Sequence, residues 1–223
     1  MEYQLVIDVM NLVHQFELEN HKEGDYSNDV AGFKKWVCST TIEPGIIAEP
    51  KWEGKENGRS SDSVINTFIV HMNRYAKYYS KSAINGSAFS TQEDFIYLIN
   101  LKAFGAMSKI ELIKKNVHDK SAGIQIINRL IQNGWAEQTH SEVDKRSKVI
   151  QITPAGINVL EKQMEKIRKA SQVVTGNLTH AEKMDLIRLL SKLDDFHHSI
   201  YCMNVGIPEL LELAHSRLSQ LPG

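Results

Sequence analysis

Between residues 61 and 201 helical periodicity gives way to strand periodicity once, over residues 135–153, and that interruption constrains the fold most. Three capping boxes mark helix starts around it: Ser90…Glu93, Ser108…Glu111 and Thr179…Glu182. In each, the hydroxyl accepts from an orphan N–H of the first turn while the Glu reaches back to the cap's own N–H. A fourth start is Thr153-Pro154, a cap followed by the residue best tolerated at the first helical position. Val64, Ile65, Phe68, Ile69, Met72, Tyr75, Ala76 and Tyr79 form an i, i+3/i+4 stripe that Asn85-Gly86 closes. These signals predict helices over 62–83, 91–104, 108–117, 154–174 and 179–201. A further helix over 119–134 opens at Asp119, carries Ile124, Ile127, Leu130 and Ile131 on one face and closes at Gly134. The interruption itself places Gln138/His140 and Ile150/Ile152 on either side of a charged loop, the pattern of a two-stranded hairpin. The expectation is a mainly α protein with one small β-hairpin.

The flanks are less regular. Residues 3–20 are apolar at helical spacing, a short helix is expected around Val30–Cys38, and residues 39–60 read as an irregular loop with Pro44, Gly45, Pro50, Gly54 and Gly58. A last amphipathic segment covers 207–218. The domain plan is therefore an N-terminal extension (1–60), a main domain (61–201) and a helical tail (202–223). Charge is uneven: residues 1–60 hold 6 Lys/Arg against 11 Asp/Glu, whereas residues 108–148 hold 8 against 5. A net charge of -1 excludes a uniformly basic nucleic-acid coat but allows a basic centre that alone meets a polyanion. Two distant cysteines, Cys38 and Cys202, argue against a disulfide scaffold or a zinc ribbon. With an acidic N-terminus and no long apolar run, the expectation is a cytoplasmic protein without a membrane span. No Gly-rich phosphate loop, nucleophile elbow or convincing metal-ligand spacing is present, so neither an enzyme nor a cofactor is expected.

Helix, helix, helix, hairpin across residues 90–153 is the order of a winged helix-turn-helix. Its second short helix would present Lys120, Ser121, Gln125, Asn128, Arg129 and Gln132 opposite the apolar stripe. Gln, Asn and Arg pair bidentately with base edges in the major groove, while Lys and Ser usually meet phosphates. The run Asp144-Lys145-Arg146-Ser147-Lys148 admits two readings. Alone it is an ordinary solvated hairpin tip; directly after a recognition-type helix it is a device for reaching DNA.

Leu130-Ile131-Gln132-Asn133-Gly134-Trp135, Asp144-Lys145-Arg146 and Ile152-Thr153-Pro154-Ala155-Gly156 together resemble the MarR family of bacterial regulators. That family follows its recognition helix with Asp-x-Arg in the wing and then Leu-Thr-x-x-Gly; here Ile152 replaces the Leu, and Gln138 stands where many members carry a basic residue. The resemblance implies a reading head over 90–153 and a dimerisation arm of helices 61–84 and 154–201. It also implies double-stranded DNA as partner, with Arg146 in the minor groove, Asp144 bracing the wing, and Lys145 and Lys148 on phosphates. Guanidinium suits a narrow, electronegative groove, and a neighbouring carboxylate can lock the loop.

Readers of this type need two half-sites, so a homodimer is expected. Leu160, Met164, Ile167 and Val174, with Leu186, Leu189, Leu190, Leu193 and Ile200, are candidates for the dimer arm, or else for covering their own subunit's core. The resemblance further implies a small aromatic or phenolic ligand in a crevice lined by Phe68, His71, Met72, Tyr75, Phe95, Tyr97 and Phe104. Asp194-Asp195-Phe196-His197-His198 has metal-compatible spacing, yet solvated helix surface is the expectation. An inert thiol is expected at Cys38 and Cys202 in place of redox sensing. The function expected is a DNA-binding regulator, a ligand-responsive repressor on a pseudo-palindromic operator. The competing class is a winged-helix module that docks a protein with the same surface.

Overall fold

The computed structural model describes residues 3–23, 26–40, 50–141 and 146–220, and the chain divides into two compact units, Met1–Val64 and Ile65–Gly223. In the first unit α1 (Gln4–Glu23) and α2 (Val30–Thr40) form a helical pair. Phe16 and Trp36 are buried between them, with Phe16 ring centroids 5.5 Å from both Phe33 and Trp36. Asn20 shapes the connection, donating to the Tyr26 carbonyl at 2.8 Å and accepting from its N–H at 3.0 Å.

Residues 50–60, expected to be irregular, form a compact turn around a short 3-10 helix (Lys55–Asn57). The Trp52 indole donates to the Arg59 carbonyl at 2.8 Å, and the Lys55 ammonium sits 4.4 Å from the Trp52 ring centroid. Neither contact leaves a periodic signal, which is why the stretch reads as a loop.

The second unit follows the predicted order. It contains α3 (Ser61–Ile84, which starts in the first unit), α4 (Gln92–Phe104), α5 (Lys109–Lys115), α6 (Lys120–Gln132), β1 (Ala136–His140), β2 (Lys148–Ile152), α7 (Pro154–Thr175), α8 (His180–Tyr201) and α9 (Ile207–Leu218). Its core gathers Tyr97, Leu98 and Leu101 of α4, Leu112 and Ile113 of α5, Ile126, Ile127 and Leu130 of α6, and Ile150 of β2. Leu160 and Ile167 of α7 complete it. These two candidates for the dimer arm are therefore spent on their own subunit. Gln163, also buried, ties α7 to α3 by donating to the Ala83 carbonyl.

Two of the three capping boxes form as read. Ser108 and Glu111 exchange bonds of 3.2 and 2.7 Å, Thr179 and Glu182 bonds of 3.3 and 2.7 Å. The Glu111 carboxyl is held below its ordinary pKa by the Ser108 hydroxyl and N–H. The third box is displaced by one residue: α4 starts after Thr91, and Asp94, not Glu93, returns to the cap. Burial decides the shift, since the Asp94 side chain is fully enclosed while Glu93 is only partly buried beside His118.

Candidate nucleic-acid interface

A helix-turn-helix requires its two helices to approach closely, and here a glycine makes that possible. A Cβ built on Gly123 of α6 would stand 2.4 Å from Ile113 Cγ1 of α5, so a larger residue forces the Ile113 side chain or one of the helices to shift. The apolar side of α6 is buried through Ile126, Ile127 and Leu130. Lys120, Ser121, Gln125, Asn128 and Gln132 lie exposed on the opposite side, which leaves hydrogen-bonding groups of three chemistries available to a groove.

Arg129 departs from that face. Its Nε and Nη2 donate to Asp94 Oδ1 at 2.8 and 2.6 Å, and Nη2 also donates to Thr91 Oγ1 at 3.1 Å. Asp94 Oδ2 accepts from the Ser90 and Thr91 N–H groups at 2.8 and 3.0 Å. The buried carboxylate is thus saturated from both sides. Arg129, expected among the DNA-binding side chains, is engaged within the chain: its guanidinium clamps the recognition helix to the start of α4. The partners lie 35 residues apart in the chain, so helical periodicity shows Arg129 as polar but not as paired, and the cap expected here was Ser90…Glu93, one residue earlier.

The wing hangs on a small network. β1 and β2 pair antiparallel from Ala136↔Ile152 to His140↔Lys148, and Ile150 also exchanges backbone bonds with Met107 at 2.8 and 3.1 Å. Thr153 closes the hairpin onto α7. Its N–H donates to the Trp135 carbonyl (3.0 Å), its hydroxyl donates to the Gly134 carbonyl (2.6 Å) and accepts from the Gly156 N–H (3.0 Å). Gly156 is required here, because a Cβ would meet the Trp135 carbonyl oxygen at 2.1 Å. Thr153 and Gly156 of the Thr-x-x-Gly motif therefore weld the wing to α7. At the tip, Arg146 and Lys148 are exposed, while Asp144 and Lys145 lie outside the described residues.

The seven residues expected to line a ligand crevice do not come together within one chain. Phe95 and Tyr97 belong to the core of the reading head, where the Tyr97 hydroxyl lies 3.0 Å from His118 Nδ1. Burial, then the nearby Glu93 and Tyr201, push the Tyr97 phenol pKa upward, so it stays protonated. Phe104 is exposed and covered by the Lys115 ammonium at 3.6 Å from its ring centroid. Phe68, His71, Met72 and Tyr75 lie exposed along α3, Phe68 to 59%. Aromatic spacing did not separate core from surface.

Among the described residues no three His, Cys, Asp or Glu are placed to hold a metal ion, and no helix is long and apolar enough to cross a membrane. Cys202 has a neighbour one helical turn earlier: its Sγ is 3.4 Å from His198 Nε2. The Cys38 side chain lies outside the described residues. On α8 Leu186, Leu189, Leu190 and Leu193 are exposed and only Ile200 is buried, so of the apolar residues proposed for the arm these four lack cover.

Residues 89–156 match the family model described as a winged helix DNA-binding domain. The multiple antibiotic resistance protein MarR of Salmonella typhimurium is 30% identical over 104 residues, covering 46% of this chain and 72% of that protein. The HTH-type transcriptional repressor NicR of Pseudomonas putida is 25% identical over 122 residues, covering 55% and 76%. Among solved structures, BpsR of Bordetella bronchiseptica, whose regulation of DNA binding by 6-hydroxynicotinic acid that structure concerns, superposes with a TM-score of 0.55 at 21% identity, covering 66% of this chain and 98% of the other. The fold agrees, and the MarR relative is matched over most of its length. This chain belongs to the MarR family of winged helix-turn-helix transcriptional regulators.

Proposed function

We propose that this regulator is a ligand-responsive repressor that binds a pseudo-palindromic operator as a homodimer in the cytoplasm. The observation that carries the reading is the division of α6 into a buried Ile126/Ile127/Leu130 side and an exposed Lys120/Ser121/Gln125/Asn128 side. Gln125 and Asn128 read base edges, Lys120 and Ser121 hold phosphates, and Arg146 enters the minor groove with Lys145 and Lys148 on the flanking backbone. Asp144 braces the wing. Arg129 is not among the readers.

The homodimer is supported by the uncovered apolar side chains of α3 and α8, including Phe68, Met72, Tyr75, Leu189 and Leu190. Two half-sites roughly 34 Å or a multiple apart would then be engaged together. Repression is supported by NicR being a repressor, and ligand response by the 6-hydroxynicotinic acid control of BpsR. An aromatic or phenolic ligand would lie against the α3 side chains Phe68, Met72 and Tyr75, with a second protomer closing the crevice. Fluorescence anisotropy against duplex fragments selected from the genome tests the reading. Affinity should fall steeply with salt, because phosphate contacts release counterions. Binding that is absent, or flat in salt, overturns it and favours the protein-docking module.

A further inference from the structure

We propose that Tyr201, the last residue of α8, is a positioning residue for DNA binding that latches the arm to the turn of the helix-turn-helix. The proposal rests on the regulator reading above. The turn between α5 and α6 is an unusual piece of backbone. Val117, β-branched, sits at φ 51°, a region such residues rarely occupy, so its shape must be imposed by its surroundings.

Those surroundings come from two directions. From α4, Asn100 Nδ2 donates to Asn116 Oδ1 at 2.8 Å, the Tyr97 hydroxyl meets His118 Nδ1 at 3.0 Å, and Glu93 Oε2 lies 3.9 Å from His118 Nε2. From the arm, the Tyr201 hydroxyl donates to the His118 carbonyl at 2.8 Å. Among the described residues this is the one hydrogen bond joining α8 to the reading head. The accepting carbonyl immediately precedes Asp119, the N-cap of the recognition helix. Burial, with Cys202 and Asp119 nearby, raises the Tyr201 phenol pKa, so it stays a donor.

The two ends of this contact differ in how firmly they are held. The His118 side chain is fixed against the packed α4, whereas α8 is exposed along most of its length and settles onto the body near Ile200. A shift of α8 is therefore delivered through one phenol to the first residues of α6, where Lys120 and Ser121 stand. Tyr201 touches no DNA in this account; it sets where the recognition helix begins.

The test compares the full-length protein with Tyr201→Phe, which removes only the hydroxyl. Anisotropy on a selected operator fragment is measured across salt, and hydrogen exchange is followed over residues 116–121. Tyr201→Phe should bind about three- to tenfold more weakly, the range for loss of one hydrogen bond. Its salt slope should match the parent, since no phosphate contact is lost. Exchange should quicken in residues 116–121 and stay unchanged in α4 and α7. Equal affinity overturns the proposal, even with faster exchange, since the contact would then serve stability alone. A slope lowered by about one also overturns it, because Tyr201 would then act beside a phosphate. Failure of the parent protein to bind any duplex removes the regulator reading first, and this proposal with it.

Discussion

Replacing Arg129 by Ala should cost folding stability before it costs base recognition. Asp94 is fully buried and Arg129 is 32% exposed on its side chain, with 2.6 Å between Nη2 and Oδ1. Breaking a buried ion pair by deleting one partner costs about 3–5 kcal/mol, because the other charge is left uncompensated. Two features lower that figure here. Asp94 keeps its bonds from the Ser90 and Thr91 N–H groups, and water reaches part of the Arg129 site. A loss of about 2–3 kcal/mol is expected, or about 4–12 °C in melting temperature for a chain of this size. Arg129→Lys should recover only part of it, since an ammonium cannot reproduce the paired guanidinium donors. Urea denaturation followed by circular dichroism gives the loss, and a cycle with Asp94→Asn gives the coupling, expected at about 1–3 kcal/mol. The reasoning is refuted if Arg129→Ala unfolds at the parent midpoint yet loses discrimination at one operator base pair. Arg129 would then be a reader after all.

Gly156→Ala should destabilise by at least about 1–3 kcal/mol, since its Cβ meets the Trp135 backbone carbonyl, which cannot turn aside as a side chain would; thermal denaturation measures this. Alkaline pH should also destabilise the reading head. With the Tyr97 phenol pKa raised by burial, its contribution is complete below the ordinary phenol value of about 10 and is lost as pH rises toward the folded value. Tyr97→Phe should flatten that decline in a pH series of urea midpoints. Arg146→Ala should weaken operator binding and leave sedimentation of the protein unchanged; unaltered affinity means the wing does not touch DNA.

How far the chain could be read from its residues follows the range of the interactions. Local devices were legible: Ser108…Glu111, Thr179…Glu182 and Thr153-Pro154 each act within one helical turn, and all three start helices where expected. The Ser90…Glu93 box yielded to Thr91…Asp94 because Arg129 rewards burial of Asp94 from 35 positions away. The same long-range pairing removed Arg129 from the predicted reading face. The aromatic residues failed for a related reason. Tyr97 and Phe68 both sit on apolar helical stripes, and only packing against α5 and α6 distinguishes the buried phenol from the exposed ring. Leu160 and Leu190 divide in the same way between core and uncovered arm.

Base reading by the exposed side of α6 is tested most directly by binding Gln125→Ala and the parent protein to the operator and to each of its single base-pair variants. Gln125→Ala should lose discrimination of about 1–3 kcal/mol at one base pair in each half-site and keep the parent's profile elsewhere, with the same salt slope. An identical profile for both proteins at every position would contradict the account.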